Sequence, residues 1–160
     1  MRQEIVIRIV MVCAIIGLGF SLYLHLIHSG LQNAPGCRIN DYIDCEKVLA
    51  AKQYTAVLFG IPNQVVAICG FSLVFTLGMI RLRFPYIPHS DKIIFFIAGL
   101  NTFGACLGTY LQYISVTVIH NLCPFCVAAY SCDLTSLSFE SAYFITLYRE
   151  YRRKTRNKQT

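Results

Sequence analysis

The chain has 160 residues, 56% of them hydrophobic and only 14% charged, with a formal net charge of +6. Soluble domains carry roughly 25% charged residues, so this composition argues against an ordinary soluble domain. It also excludes a disordered chain, which combines low hydrophobicity with high net charge.

A helix that crosses a bilayer needs about 20 apolar residues, and four stretches meet that length. The first runs from about Ile5 to Ile27. It has a basic start but a long apolar run and no convincing small-residue cleavage site, so it reads as a retained helix rather than a signal peptide. A more polar segment, 28–55, follows and carries Cys37 and Cys45. The second stretch covers about Ala56 to Ile80, the third about Ile93 to Ile119 and the fourth about Leu122 to Leu147. The sequence therefore predicts one domain over 1–160, an all-α integral membrane protein. Its form is a bundle of four transmembrane helices with an outside loop carrying a cysteine pair.

Lys and Arg placement sets the orientation. Arg2 and Arg8 flank the first stretch, and Arg81, Arg83 and Lys92 follow the second. Arg149, Arg152, Arg153, Lys154, Arg156 and Lys158 crowd the tail. In the first loop, Arg38, Lys47 and Lys52 are offset by Asp41, Asp44 and Glu46, and the link around His120 has no Lys or Arg. Both termini and the middle loop are thus expected in the cytoplasm. The first loop and the last turn are expected outside a plasma or inner membrane. The basic tail reads as a positive-inside anchor and not as a nucleic-acid site.

Eight cysteines divide by this topology. Cys13, Cys69, Cys106 and Cys132 fall inside apolar stretches and read as small hydrophobes. Cys37, Cys45, Cys123 and Cys126 all fall on the outside face, where disulfides persist. Cys123-Pro124-Phe125-Cys126 opens the fourth helix. Free N–H groups and the positive end of the helix dipole favour a thiolate there. Pro124 suits a first turn, and residues three apart on a helix are neighbours, so a bridge between the two cysteines is easy. A loop pair beside a fixed pair gives thiol–disulfide exchange the reach it needs. Two alternatives share this pattern: a pair of static disulfides, and a four-cysteine zinc site, for which the loop spacing is long.

With these motifs the chain resembles the vitamin K epoxide reductase family, close to its small prokaryotic members. The likeness covers nearly the whole chain. It rests on the Cys37/Cys45 pair, on Phe59-Gly60-Ile61-Pro62-Asn63 opening the second stretch, and on the Cys-Pro-Phe-Cys motif with Tyr130 four residues later. The other membrane family that forms disulfides places its Cys-x-x-Cys in the first outside loop, which does not fit this order. The resemblance implies a bundle around a quinone of the menaquinone, ubiquinone or vitamin K type. It implies electron flow from a thioredoxin-fold partner through the loop cysteines and then the Cys-x-x-Cys pair to that quinone. Cys126 matches the cysteine that reacts with the quinone. Cys123 matches the one that exchanges with the loop, at Cys45, and Cys37 completes the shuttle pair. Asn63 and Tyr130 match the residues that hydrogen-bond the quinone oxygens. Ala67 is a departure, since the family often has Gly there. The chain stops at its basic tail, so the redox partner is expected to be a separate protein on the outside face.

Asn63 and Tyr130 also have structural readings, as a helix cap or interhelical bond and as an interfacial belt residue. Cys126, Tyr130, Asp133 and Glu140 share one helical face. Acids inside a membrane are functional candidates, yet dithiol oxidation releases the two protons that quinone reduction consumes. The structural reading is therefore preferred, with Asp133 bonded within the bundle and Glu140 near Arg8. Gly104 and Gly108 form a small-xxx-small packing pair. His25, His28, His89 and His120 lack metal spacing, and no metal is expected. The expected function is quinone-dependent oxidation of partner dithiols in support of disulfide formation. The alternatives are reduction of a quinone epoxide and a non-catalytic four-span protein with structural disulfides.

Overall fold

The computed structural model describes residues 3–30, 38–40, 42–51, 60–84 and 90–156. Helix α1 (Gln3–His28) leads to a short antiparallel hairpin of β1 (Arg38–Asn40) and β2 (Ile43–Asp44), and then to the six-residue helix α2 (Cys45–Ala50). Three long helices complete the chain: α3 (Asn63–Arg83), α4 (Ser90–Ile114) and α5 (Pro124–Arg156). A π-helical turn, Ser115–Ile119, extends α4.

Helix α1 packs on α3 and α5, and α4 closes the ring by packing on both. Neighbours run antiparallel. Gly17 lies under the Phe71 ring while Gly78 receives Met11, which pairs the end of α1 with the start of α3. Gly104 lies against Asp133 and Gly108 against Tyr130, pairing α4 with α5 in the same sense. Close backbone approach through small residues is the packing expected where lipid removes the hydrophobic drive between helices.

Among the described residues, three segments are long and apolar enough to cross a membrane: Glu4–His28, Asn63–Arg83 and Lys92–Ile119. Their outward faces carry large apolar side chains such as Val12, Ile15, Ile16, Phe95, Phe96 and Phe103. A helix that is apolar on all sides belongs in a membrane or a large core. The expected fourth stretch forms the longest helix, α5, with 33 residues, yet it is not among these three. Asp133, Glu140 and a series of hydroxyls lower its hydropathy. Most of these hydroxyls are satisfied within the helix. Ser131, Thr135, Ser138 and Thr146 each donate to the carbonyl four residues back, at 2.7–2.9 Å. Such back-bonding lets Ser and Thr sit in apolar surroundings.

The second long helix also starts later than its hydropathy suggests. Gly60 has φ +78° and Pro62 is extended, with ψ 133°, so helix begins at Asn63 and continues to Arg83. Residues 56–59 of the expected second stretch lie outside the described residues.

Candidate functional site

The hairpin positions the site. The Asn40 side-chain oxygen accepts the N–H groups of Tyr42 and Ile43 at 3.0 and 2.9 Å, which closes the turn as an Asx residue does. The Asp44 carboxylate then accepts the Lys47 N–H at 3.2 Å and so caps α2. Backbone bonds stitch this unit to the segment just before α5. The Asp44 N–H donates to the Leu122 carbonyl at 3.2 Å, and the Leu122 N–H donates to the Tyr42 carbonyl at 2.8 Å. Ile43 and Leu122 thus form a parallel bridge.

As a result Cys45, the first residue of α2, and Cys123, the last before α5, fall in one apolar cluster. Leu24, Ile27, Val48 and Leu49 complete it, and both sulfur residues are almost fully buried, at 0% and 1% exposure. Phe125 locks the start of α5 onto α1, with its ring 4.9 Å from Tyr23 and 5.9 Å from Phe20. Cys123 is disulfide-bonded to Cys126, with Cα atoms 5.2 Å apart. Pro124 takes the first helical position, and the Cys126 N–H donates to the Cys123 sulfur at 3.2 Å. Cys123 therefore acts as the cap of α5, its sulfur meeting one of the helix's unpaired N–H groups. Cys45 is also disulfide-bonded. Cys37, expected in the loop pair, lies outside the described residues. Cys13, Cys69, Cys106 and Cys132 are free thiols.

Behind the Cys123–Cys126 pair a cavity of about 400 Å³ opens between α1, α2, α3, α4 and α5. That is within the usual size of a small-molecule pocket. Cys126 lines it, as do Asn63 and Tyr130, so the structure brings three of the expected site residues to one space. Val48 and Leu49 of α2 form part of the wall, so the segment that follows Cys45 covers one side of the cavity.

Most of the wall is apolar, and its polar groups divide by whether the protein satisfies them. Ser21 donates to the Gly17 carbonyl at 2.8 Å, and Ser115 donates to the Asn121 carbonyl. The Asn101 amide donates to Glu140 at 2.9 Å. In contrast, both polar atoms of the Asn63 amide and Oε1 of Gln64 are buried without a hydrogen-bond partner. Buried polar groups are nearly always paired, so each such exception needs an explanation. A ligand in the cavity supplies one. Gln64 was missed by sequence reasoning, although an uncharged amide inside an apolar stretch was a legible signal.

The two acids fall differently from the expectation. Glu140 is buried against Asn101, and that bond takes the place of the expected approach to Arg8. Helices α4 and α5 face each other there, and Asn101 offers a short neutral donor. Asp133 lines the cavity and makes no hydrogen bond to any described residue, whereas an internal bond was expected. Its carboxylate sits against Gly104 of α4. His120 is exposed and sits in the turn before Cys123, with φ 54°. No group of three or more metal-ligating side chains occurs among the described residues.

A family model described as the vitamin K epoxide reductase family matches residues 8–140. No curated protein matches the chain. The matched range runs from the first turns of α1 to Glu140 and so takes in the cysteine cluster and the cavity.

Proposed function

The chain belongs to the vitamin K epoxide reductase family, and from that premise we propose that it is a four-span membrane enzyme. It oxidises the dithiol of a thioredoxin-fold partner and delivers the electrons to a quinone, in support of disulfide formation. The observation that carries this reading is the shared burial of Cys45 and Cys123, with Cys126 facing a cavity whose wall holds unpartnered amides.

The steps follow from thiol chemistry. A thiolate of the partner attacks the loop disulfide of Cys37 and Cys45 and releases Cys45. Cys45 attacks Cys123 and releases Cys126 as the leaving thiolate. The N–H of Cys126 and the first turn of α5 favour negative charge on these sulfurs. The partner's second thiolate resolves its mixed disulfide with Cys37 and leaves as the partner's disulfide; Cys37 then attacks Cys45, which re-forms the loop disulfide and leaves Cys123 and Cys126 as a dithiol. That dithiol then gives two electrons and two protons to the quinone. Two S–H bonds and a quinone become one S–S bond and a hydroquinone. Asn63 donates a hydrogen bond to one ring oxygen, Tyr130 lies at the other, and the apolar wall takes the ring.

Purified protein supplied with a reduced thioredoxin-fold substrate tests the assignment. Oxidation of that substrate is expected only when a quinone is present, with one hydroquinone formed per disulfide. Oxidation without hydroquinone formation, or no reaction with any quinone, overturns it. Faster turnover with a quinone epoxide than with the quinone replaces it with the epoxide reaction.

A further inference from the structure

Asp133 lines the cavity but takes no part in the thiol exchange. It lies seven residues past Cys126 and three past Tyr130, so the three side chains share one face of α5. At 1.5 Å per residue it stands about 10 Å deeper than Cys126 and about 4.5 Å deeper than Tyr130. Helix α4 seats both of the deeper side chains. Gly108 lies under the Tyr130 ring, and Gly104 leaves room for the Asp133 carboxyl, whose Cγ would lie 3.2 Å from an added Cβ. The Tyr130 hydroxyl is paired with Oγ1 of Thr109, 2.8 Å away, whereas Asp133 has no hydrogen-bond partner among the described residues.

Among the described residues that line the cavity, Asp133 is the only carboxyl, and no Lys, Arg or His accompanies it. A charge buried without a counter-charge is costly, and such a group takes its neutral form instead. The same cost falls on the product. Two electrons arriving on a quinone put negative charge on its oxygens inside a mostly apolar wall, so each oxygen needs a proton as the charge arrives. The Asn63 amide can donate a hydrogen bond there but not its proton. Tyr130 is a phenol, as the hydroquinone is, and gains no driving force by protonating it. A carboxylic acid is a stronger acid than either.

We propose that Asp133 is the proton donor to the ring oxygen that Tyr130 meets, carried as the neutral acid and discharged as the electron pair leaves the Cys123–Cys126 dithiol. This rests on the quinone reading above and gives one of its two protons a route. The other ring oxygen takes a proton from the dithiol. The second thiol proton passes to water, and Asp133 regains a proton from water once the hydroquinone has left the cavity. Two S–H bonds and a quinone still become one S–S bond and a hydroquinone, with the carboxyl back in its starting state.

The test is a single turnover. Protein with Cys123 and Cys126 reduced is mixed in detergent with a soluble short-chain quinone, and hydroquinone formation is followed across pH. A general acid works only while protonated, so the wild-type rate is expected to rise with pH as thiolate forms and to fall again as Asp133 ionises. Asp133→Asn keeps the size and removes the proton. Its rate is expected to be about a hundredfold lower on the acid side, the low end for general acid catalysis. It also loses the falling limb, while its affinity for the quinone is unchanged. The other titrating groups nearby are Cys69, Cys126 and Tyr130 in the wall and Cys132 and Glu140 on α5; α1 and α4 bring none to the wall among the described residues. Glu140→Gln, which can still accept from Asn101, keeps the falling limb. An unchanged rate in Asp133→Asn, or a falling limb that persists there, overturns the assignment while leaving the quinone reading intact. If Asp133→Asn binds no quinone, Asp133→Glu decides: a retained falling limb supports the assignment and its loss overturns it. A wild type that forms no hydroquinone overturns the quinone reading, and this assignment with it.

Discussion

At the scale of single residues, the site is defined by groups that the protein leaves unpaired. Gln64 is 7% exposed and its Oε1 has no partner. An unsatisfied buried acceptor costs about 1–3 kcal/mol. Gln64→Leu, nearly the same size, is therefore expected to raise the melting temperature of the ligand-free protein and to reduce the further gain when quinone is added. A melting series with and without quinone checks both signs together. Asn63→Ala and Tyr130→Phe each remove one neutral hydrogen bond, worth about 0.5–1.5 kcal/mol, so both are expected to slow quinone reduction several-fold at subsaturating quinone. Unchanged rates in both would return them to packing. The buried pair Cys45 and Cys123 makes a sharper forecast. With Cys126→Ser, Cys123 is a thiol that attacks the loop disulfide at Cys45, and the thiol that would resolve the bridge is gone, so a Cys45–Cys123 bridge is expected to accumulate. Non-reducing digestion with mass spectrometry detects it, and bridges within pairs alone would point to static staples.

At the scale of elements, the length of the apolar runs made the helices legible but not what they enclose. The motif Cys-Pro-Phe-Cys placed the start of α5 correctly, because Pro124 can only begin a helix. The small-xxx-small pair Gly104 and Gly108 was legible as a packing surface. That its notches hold Asp133 and Tyr130 was not, since the occupants come from another helix. Thr109 gave no signal for the same reason: its partner Tyr130 is 21 residues away. Glu140 was misplaced because its partner, Asn101, is a neutral residue on α4 and not the cation that a charge-based reading seeks. The late start of α3 follows from Gly60 and Pro62, whose backbone geometry overrides the apolar run before them. The turn ahead of α5 carries a local cost that can be measured. His120 is held at φ 54°, where a β-branched side chain is strongly disfavoured. His120→Val is expected to destabilise the protein by about 1–2 kcal/mol, while His120→Gly is neutral or stabilising. Equal melting temperatures for the two variants would show that the turn does not need this geometry.

At the scale of the whole molecule, the four crossings expected from the sequence turn on α5. Among the described residues three helices qualify by length and apolarity, and α5 does not by apolarity alone. Its packing argues that it crosses as well. It lies along α1 and α4, both of membrane length, and runs antiparallel to each. From Pro124 to Tyr148 it spans about 36 Å at 1.5 Å per residue, more than the ~30 Å hydrocarbon core. Ser131, Thr135, Ser138 and Thr146 bond to its own carbonyls, and Glu140 is turned into the bundle, where Asn101 meets one of its oxygens, so little unpaired polarity faces outward. Two exposed tyrosines mark its ends. Tyr42, on the turn tied to Leu122, is 74% exposed, and Tyr148 is 60% exposed. An impermeant thiol reagent applied to intact cells is expected to label Tyr42→Cys. Tyr148→Cys is expected to react only after the membrane is opened. The basic residues beyond Tyr148 support the same side for that end, by the positive-inside rule. If only three helices crossed, the end of α4 and all of α5 would lie on the face where Tyr42 sits. Tyr148→Cys would then be labelled on intact cells as readily as Tyr42→Cys, and that result would remove the four-span bundle.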